Sequence, residues 1–263
     1  MTAQQRLDDA RTALHEGRHA EALAGLAWYY AHALDESPSF SGVRGSYCLS
    51  AWAELAARYR PARAALDAVR AAAVTALMRG DGTVRLFHEV VGIDGYLKQP
   101  DATYRLYLAL EEQQAPLAGA CANVALDAIV DAGDFVRAAR IVPLPDRAIR
   151  AAYVSMAYNL RWTKGRYMRA PTRWAYIRIY GKDVQRVLAI VQGTGDAAQA
   201  AALAVLAVAQ VADPSVRRDM AAFLAGCLPA PMPDQKRWRL QARRARVRAT
   251  AARRHARTLT KSP

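Results

Sequence analysis

One pattern in the sequence is associated with metal-dependent hydrolysis, the run His15-Glu16-Gly17-Arg18-His19. In an H-E-x-x-H motif on a helix, two histidines bind Zn²⁺ and the glutamate acts as general base. Here Gly17 disfavours a continuous helix, Arg18 places a cation beside the proposed metal, and Gly25 stands where some zinc proteases have a third ligand. We therefore interpret these residues as a surface turn and expect no metal or cofactor. A zinc hydrolase is the most remote of the functions considered.

A second set of polar and aromatic residues is spaced to line a groove between helical hairpins. Its members are Trp28, His32, Arg44, Ser46, Tyr47, Trp52 and His88. An arginine, imidazoles and aromatic walls suit a peptide that carries a carboxylate or a phosphate. Alternatively, Arg44 is buried and satisfied by Glu54 or by helix carbonyls, and the aromatic residues belong to the core. Neither Ser46 nor Cys48 lies in a nucleophile elbow or a papain-like context, so we expect no covalent catalysis.

A third segment, residues 161–182, combines seven Lys and Arg residues with five aromatic residues and has no acidic residue. Such interleaving suits single-stranded nucleic acid, because cations neutralise phosphates while bases stack on aromatic rings. The predicted polyanion contacts here are Arg161, Lys164, Arg166, Arg169, Arg173 and Arg178. Alternatively, the segment forms amphipathic helices whose aromatic residues join the core and are covered by the arginine stems.

The net charge of +14 is concentrated toward the C-terminus. Residues 1–160 hold 16 Lys and Arg against 18 Asp and Glu, whereas residues 236–263 hold 11 cations and no acid. In that tail Trp238, Leu259 and five alanines between them recur every three or four residues, which predicts an Arg-rich helix with a thin apolar seam. The tail favours a nucleic acid or an acidic protein as partner, through Arg243, Arg244, Arg246, Arg248, Arg253 and Arg254. Alternatively, the helix docks on the rest of the chain by its seam.

Helical hairpins must position these residues. Two runs have the pattern G-x-x-x-x-A, at residues 17–22 and 133–138, and this glycine turn followed by a small residue is typical of helical repeats. The spacing of apolar residues, with Gly or Pro residues at the helix ends, predicts a loop at 164–172 and twelve helices. The helices are 3–16, 20–34, 43–59, 61–78, 83–98, 103–114, 116–132, 133–142, 146–162, 173–192, 196–212 and 214–227.

Three stretches also carry a resemblance to a known group of proteins. They are W-x-x-x-H-A-L at residues 28–34, G-V-R-x-S-x-x-L-x-x-W-x-x-L-x-x-x-Y-x-P-A at 42–62 and L-F-H-x-V-x-x-I-x-x-Y-L at 86–97. With this spacing, roughly residues 1–145 resemble bacterial tetratricopeptide-like helical-repeat proteins. The resemblance implies an all-helical fold and leaves the activity open.

The sequence as a whole predicts an all-α, tetratricopeptide-like helical-hairpin array (α-solenoid) with a basic C-terminal helix. We expect a repeat domain at 1–160, a basic and aromatic part at 161–235 and the tail at 236–263. Three widely spaced cysteines favour reduced thiols, and the 16-residue apolar run 197–212 is too short to span a bilayer, so we expect a cytoplasmic bacterial protein. The expected function is a non-enzymatic scaffold that binds a protein segment; the alternative is a nucleic-acid-binding protein.

Overall fold

A computed structural model describes residues 1–162 and 170–227, and the regular structure in these residues is helical throughout. The prediction of an all-helical chain is confirmed for this part. The helices are α1 Ala3–His15, α2 His19–Glu36, α3 Ser41–Val43, α4 Leu49–Ala56, α5 Arg60–Arg79, α6 Val84–Tyr96, α7 Pro100–Gln113, α8 Ala115–Asp131, α9 Phe135–Ile141, α10 Pro145–Trp162, α11 Ala170–Gly193, α12 Ala197–Ala209 and α13 Pro214–Leu224. No helix in the described ranges is both long and apolar enough to cross a membrane.

The chain divides into two compact units, Met1–Ile141 and Val142–Pro263. The division predicted from the sequence lies at residue 160, whereas these compact units meet after Ile141. Helix α10 belongs to the second unit because its apolar side chains Ile149 and Met156 are buried in a core shared with α11, α12 and α13. Helix α11 also begins at Ala170, before the end of the predicted loop. The tail from residue 236 lies outside the described residues.

The predicted glycine turns join α1 to α2 and α8 to α9. Gly17 and Gly133 have φ values of 78° and 76°, in the left-handed region that only glycine adopts readily. In both turns the amide after the glycine donates to a carbonyl five residues back, at 2.9 and 3.1 Å, which closes the preceding helix. The alanines at the ends of the two patterns, Ala22 and Ala138, are fully buried. Gly195 and the buried Ala200 form a third such turn, between α11 and α12, which the sequence analysis did not single out.

Helices α1 and α2 approach each other closely at Gly25. A Cβ atom on Gly25 would lie 2.7 Å from Cβ of Ala10, so a larger residue would force the two helices apart. Leu7 and Leu26 fill the same core and are 1% and 0% exposed. Gly25 is thus a helix packing position.

A buried polar network ties α5, α6 and α7 together. Asp94 on α6 is fully buried. Its carboxylate accepts hydrogen bonds from Nε and Nη2 of Arg70 on α5, the latter at 3.0 Å, and from Oγ1 of Thr103 on α7 at 2.8 Å. The hydrogen bond to the carboxylate raises the pKa of Arg70. Because each polar group has a partner, the network specifies how the three helices pack.

A strained residue, Lys98, lies two positions after the end of α6. Lys98 has a φ of 57°, and its amide donates to the carbonyl of Gly95 at 3.2 Å, so it occupies the position that glycine usually takes after a helix. We expect Lys98→Gly to raise the free energy of unfolding by about 1 kcal/mol, because a side chain in this backbone region costs that much. Urea unfolding followed by circular dichroism measures the change. An unchanged or lower midpoint would contradict the prediction.

Candidate functional site

An open pocket of about 560 Å³ lies in the first unit, between α6 and the chain that runs from α3 into α4. Three of the predicted groove residues, Arg44, Ser46 and His88, line it. We refer to it as the Arg44 pocket. Its lining also includes Tyr30 of α2 and Glu89 of α6, so three separate segments of the first unit form its walls.

A π-helical turn at Arg44–Cys48 shapes one wall of the pocket. The sequence predicts an uninterrupted α-helix from residue 43, and the structure corrects this, because one π turn is inserted between α3 and α4. Such turns displace side chains from α-helical positions and occur often at functional sites. Oη of Tyr96 on α6 donates to the carbonyl of Ser46 at 3.1 Å, and Oγ of Ser46 donates to the carbonyl of Gly42 at 2.5 Å. The Tyr96 bond holds the turn against α6, and the Ser46 bond stabilises the turn itself.

Arg44 is held rigidly in the pocket wall. Its Nε donates to the carbonyl of Tyr30 at 2.6 Å, and its guanidinium carbon lies 3.8 Å from the centroid of the Tyr30 ring. Its Nη1 lies 2.6 Å from Oε1 of Glu89, with 14% and 19% of the two side chains exposed. The expectation that a helix carbonyl satisfies Arg44 agrees with the structure, but the acidic partner is Glu89. Glu54, the acidic partner considered from the sequence, pairs with Arg58 at 2.5 Å.

The mouth of the pocket is positively charged. Nε of Arg85 lies 3.9 Å from the same Glu89 oxygen, and 75% of the Arg85 side chain is exposed. The imidazole of His88, which directly precedes Glu89 on α6, is also exposed. One carboxylate therefore faces two guanidinium groups, which leaves the site with an excess of positive charge.

The other predicted groove residues do not line this pocket. Trp52 lies in the core with 1% of its surface exposed, and its Nε1 donates to the carbonyl of Ala62 at 3.0 Å. Tyr47 points away from the core and is 62% exposed. The alternative that the aromatic residues are packing residues thus describes Trp52 and not Tyr47.

Trp28 and His32 lie together on α2, apart from the pocket. Their ring centroids are 5.2 Å apart, and the guanidinium carbon of Arg6 lies 4.0 Å from the Trp28 ring. Nδ1 of His32 lies 3.3 Å from Oδ2 of Asp35. Arg6 and Asp35 of the protein itself thus contact the two rings that were predicted to contact a ligand.

The H-E-x-x-H run does not form one helix. His15 is the last residue of α1 and His19 the first of α2, and the turn at Gly17 separates them. Arg18 forms ion pairs with Glu16, at 2.5 Å, and with Glu21. The residues that the structure describes contain no cluster of three acidic, histidine or cysteine side chains suited to a metal ion. This geometry differs from the helix on which the zinc motif depends.

The described residues of the basic segment are divided between core and surface. Tyr180 is buried, its Oη donates to the carbonyl of Ala207 at 2.8 Å, and burial raises its pKa to about 12. Arg173 is paired, at 2.7 Å each, with Asp219 and with Ser215. Arg161 and Arg178 are exposed. The remaining predicted contacts lie outside the described residues: Lys164, Arg166, Arg169, Arg243, Arg244, Arg246, Arg248, Arg253 and Arg254.

Sequence reasoning missed the three glycines that line the Arg44 pocket, Gly42, Gly45 and Gly92, as well as Glu89. A signal for the glycines was present. Gly45 and Gly92 fall inside the predicted helices 43–59 and 83–98, where glycine costs stability relative to alanine, and Gly42 directly precedes the first of these helices.

The cysteines give a prediction about reactivity. Burial raises the pKa of Cys48 to about 12 and also raises that of Cys121, whereas Cys227 is exposed. At pH 8 we expect only about one part in ten thousand of Cys48 to be the reactive thiolate. A disulfide reagent such as dithiodinitrobenzoate should therefore react quickly with Cys227 and with the other two thiols only on unfolding. Two fast-reacting thiols in the folded protein would contradict this.

Comparison with known proteins found no matching family, no matching curated protein and no matching solved structure.

Proposed function

We propose that this protein is a non-enzymatic scaffold that binds a segment of another protein in the Arg44 pocket. The observation that carries the proposal is the convergence of Arg44 and Ser46 of the π turn and His88 of α6 onto one open pocket. A rigidly placed arginine in a partly buried wall is a frequent anchor in protein interfaces. The pocket volume, about 560 Å³, is within the range of sites that enclose a ligand or a few residues of a peptide.

The chemistry of the pocket supports binding over catalysis. Ser46 donates its hydroxyl proton to a backbone carbonyl, and the Cys48 thiol is buried with a raised pKa. Neither group is activated as a nucleophile. Arg44 and Glu89 are paired with each other, so they suit recognition more than proton transfer.

A helical scaffold of the tetratricopeptide-like, α-solenoid type is part of the proposal for the first unit. The repeated glycine turns at Gly17 and Gly133, each followed by a buried alanine, support it. A cytoplasmic location is also part of the proposal, because Cys48, Cys121 and Cys227 are free thiols, as is usual in a reducing compartment.

Selection of peptides tests the proposal. A library of random nonapeptides displayed on phage is panned on the full chain, and the selected peptides are measured against the double variant Arg85→Ala/His88→Ala. Both side chains are exposed, so the variant should fold. We expect affinity to fall about tenfold, while the control Arg105→Ala, an exposed cation on α7, leaves it unchanged. Failure to enrich any peptide, or equal affinity for the double variant, would refute the proposal.

A second candidate function is binding of nucleic acid by the C-terminal part of the chain. The 11 cations without an acid in residues 236–263 favour it, and Arg161 and Arg178 are exposed. Fluorescence anisotropy of labelled single-stranded RNA and duplex DNA, with the full chain and with residues 1–233, tests it at several salt concentrations. Binding that requires the tail and weakens steeply with salt would support this candidate. Absence of binding by both proteins would dismiss it.

A further inference from the structure

The second unit has a pocket of its own, which opens onto its hydrophobic core. The pocket has a volume of about 420 Å³ and lies between α10, the first turn of α11 and the turn that leads from α12 into α13. Its lining includes Met156, Val211 and Val216, which are buried members of the core. Tyr153 and Leu160 also line it and pack against the same core. We refer to it as the Tyr153 pocket.

This apolar lining favours a ligand with a hydrocarbon body. Each methylene group that moves from water into apolar surroundings strengthens binding about threefold to fourfold. A sugar or a nucleobase would instead leave several of its polar groups without partners against such a lining, at a cost in affinity. The volume falls within the range of pockets that enclose a small organic molecule.

Two of the charged residues in the described lining, Arg173 and Asp213, already have partners within the protein. Nη1 of Arg173 lies 2.7 Å from Oδ2 of Asp219, and its Nη2 donates to Oγ of Ser215 at 2.7 Å. Oδ1 of Asp213 caps α13 by accepting the amides of Ser215 and Val216 at 2.8 and 3.0 Å. The bond from the Val216 amide is the main cause that lowers the pKa of Asp213, so this carboxylate stays charged.

Arg161 is the charged group left to meet a ligand. It lies near the end of α10, is exposed, and has no acidic partner among residues 1–162 and 170–227. A guanidinium group binds a carboxylate through two parallel hydrogen bonds. The charge of Asp213 at the same pocket disfavours a second negative charge on the ligand. One free cation above an apolar cavity thus matches a ligand with a single negative charge and a hydrocarbon body.

We propose that the Tyr153 pocket binds a medium-chain carboxylic acid, whose hydrocarbon chain lies against Met156, Val211 and Val216 and whose carboxylate pairs with Arg161. The site belongs to the second unit and adds a small-molecule ligand to the protein segment proposed for the Arg44 pocket. Neither proposal depends on the other, because the two pockets share no lining residue.

A series of straight-chain acids tests the apolar part of the inference. Isothermal titration calorimetry of the full chain with hexanoate, octanoate and decanoate should show affinity rising about tenfold with each pair of added methylene groups. Acetate, which has the charge without the chain, should show no measurable binding. Equal affinity along the series, or no saturable binding of decanoate at millimolar concentration, would overturn the inference.

Variants of the lining test the position of the ligand, with octanoate and its neutral analogue octan-1-ol as probes. We expect Arg161→Ala to weaken octanoate binding about tenfold and to leave octanol binding unchanged, because only the acid uses the guanidinium group. Ala157→Leu places a larger side chain in the lining and should weaken both ligands about tenfold. The control Arg178→Ala removes an exposed cation of α11 and should bind both normally. Unchanged octanoate affinity in Arg161→Ala, or normal binding by Ala157→Leu, would contradict the proposed site.

Discussion

Replacing Asp94 with alanine is expected to lower the free energy of unfolding by about 3 kcal/mol or more. The substitution removes the shared acceptor of Arg70 and Thr103 and leaves their donors without a partner in the interior between α5, α6 and α7. Asp94 is fully buried, whereas 21% of the Arg70 side chain is exposed, so the arginine can recover only part of its hydration. Urea unfolding followed by far-UV circular dichroism measures the loss.

The matched control is Glu54→Ala, which removes one partner of the ion pair with Arg58. These side chains are 46% and 58% exposed, and a surface pair of this kind contributes about 0–1 kcal/mol. If the two variants lose similar stability, the network around Asp94 does not hold the three helices as described.

Trp52→Ala is expected to lower the free energy of unfolding by about 3–5 kcal/mol, the usual cost of removing a large buried aromatic side chain. Trp52 is 1% exposed, and Tyr30 packs against it edge to face at 5.8 Å between ring centroids. The variant also leaves the carbonyl of Ala62 without its indole donor. The same urea experiment measures this change.

Tyr47→Ala provides the comparison, because Tyr47 was predicted to line the same groove and is 62% exposed. We expect this variant to change stability by at most about 0.5 kcal/mol. Equal losses for the two variants would mean that Trp52 is not the core residue that its burial indicates.

Much of the fold could be predicted from local features. Gly17 and Gly133 end helices because of their backbone conformation, and apolar spacing located the helices between them. The π turn at Arg44–Cys48 could not be predicted in this way, because it depends on distant partners. Tyr96 bonds to its backbone from α6, and Glu89 pairs with Arg44 across the pocket. Neither pairing leaves a periodic pattern in the sequence.

Only part of the site could be predicted, because contacts between distant residues also decide which side chains line it. Residue type and spacing selected Arg44, Ser46 and His88, which the pocket brings together. Spacing could not distinguish Trp52 from Tyr47, because both are aromatic residues of the one predicted helix 43–59, and only packing against the neighbouring helices decides which is covered. The boundary predicted at residue 160 follows the change in net charge along the chain, whereas the compact units meet after Ile141 because the apolar face of α10 packs in the second unit.

Amide hydrogen exchange of the full chain, with and without a selected nonapeptide, tests most directly whether the Arg44 pocket is the binding site. We expect slowed exchange in residues 41–49 and 84–92, which form two of the three walls, and unchanged exchange in residues 142–162 and 170–227 of the second unit. Slowed exchange confined to the second unit, or no change in the two walls at a saturating peptide concentration, would contradict the proposed site.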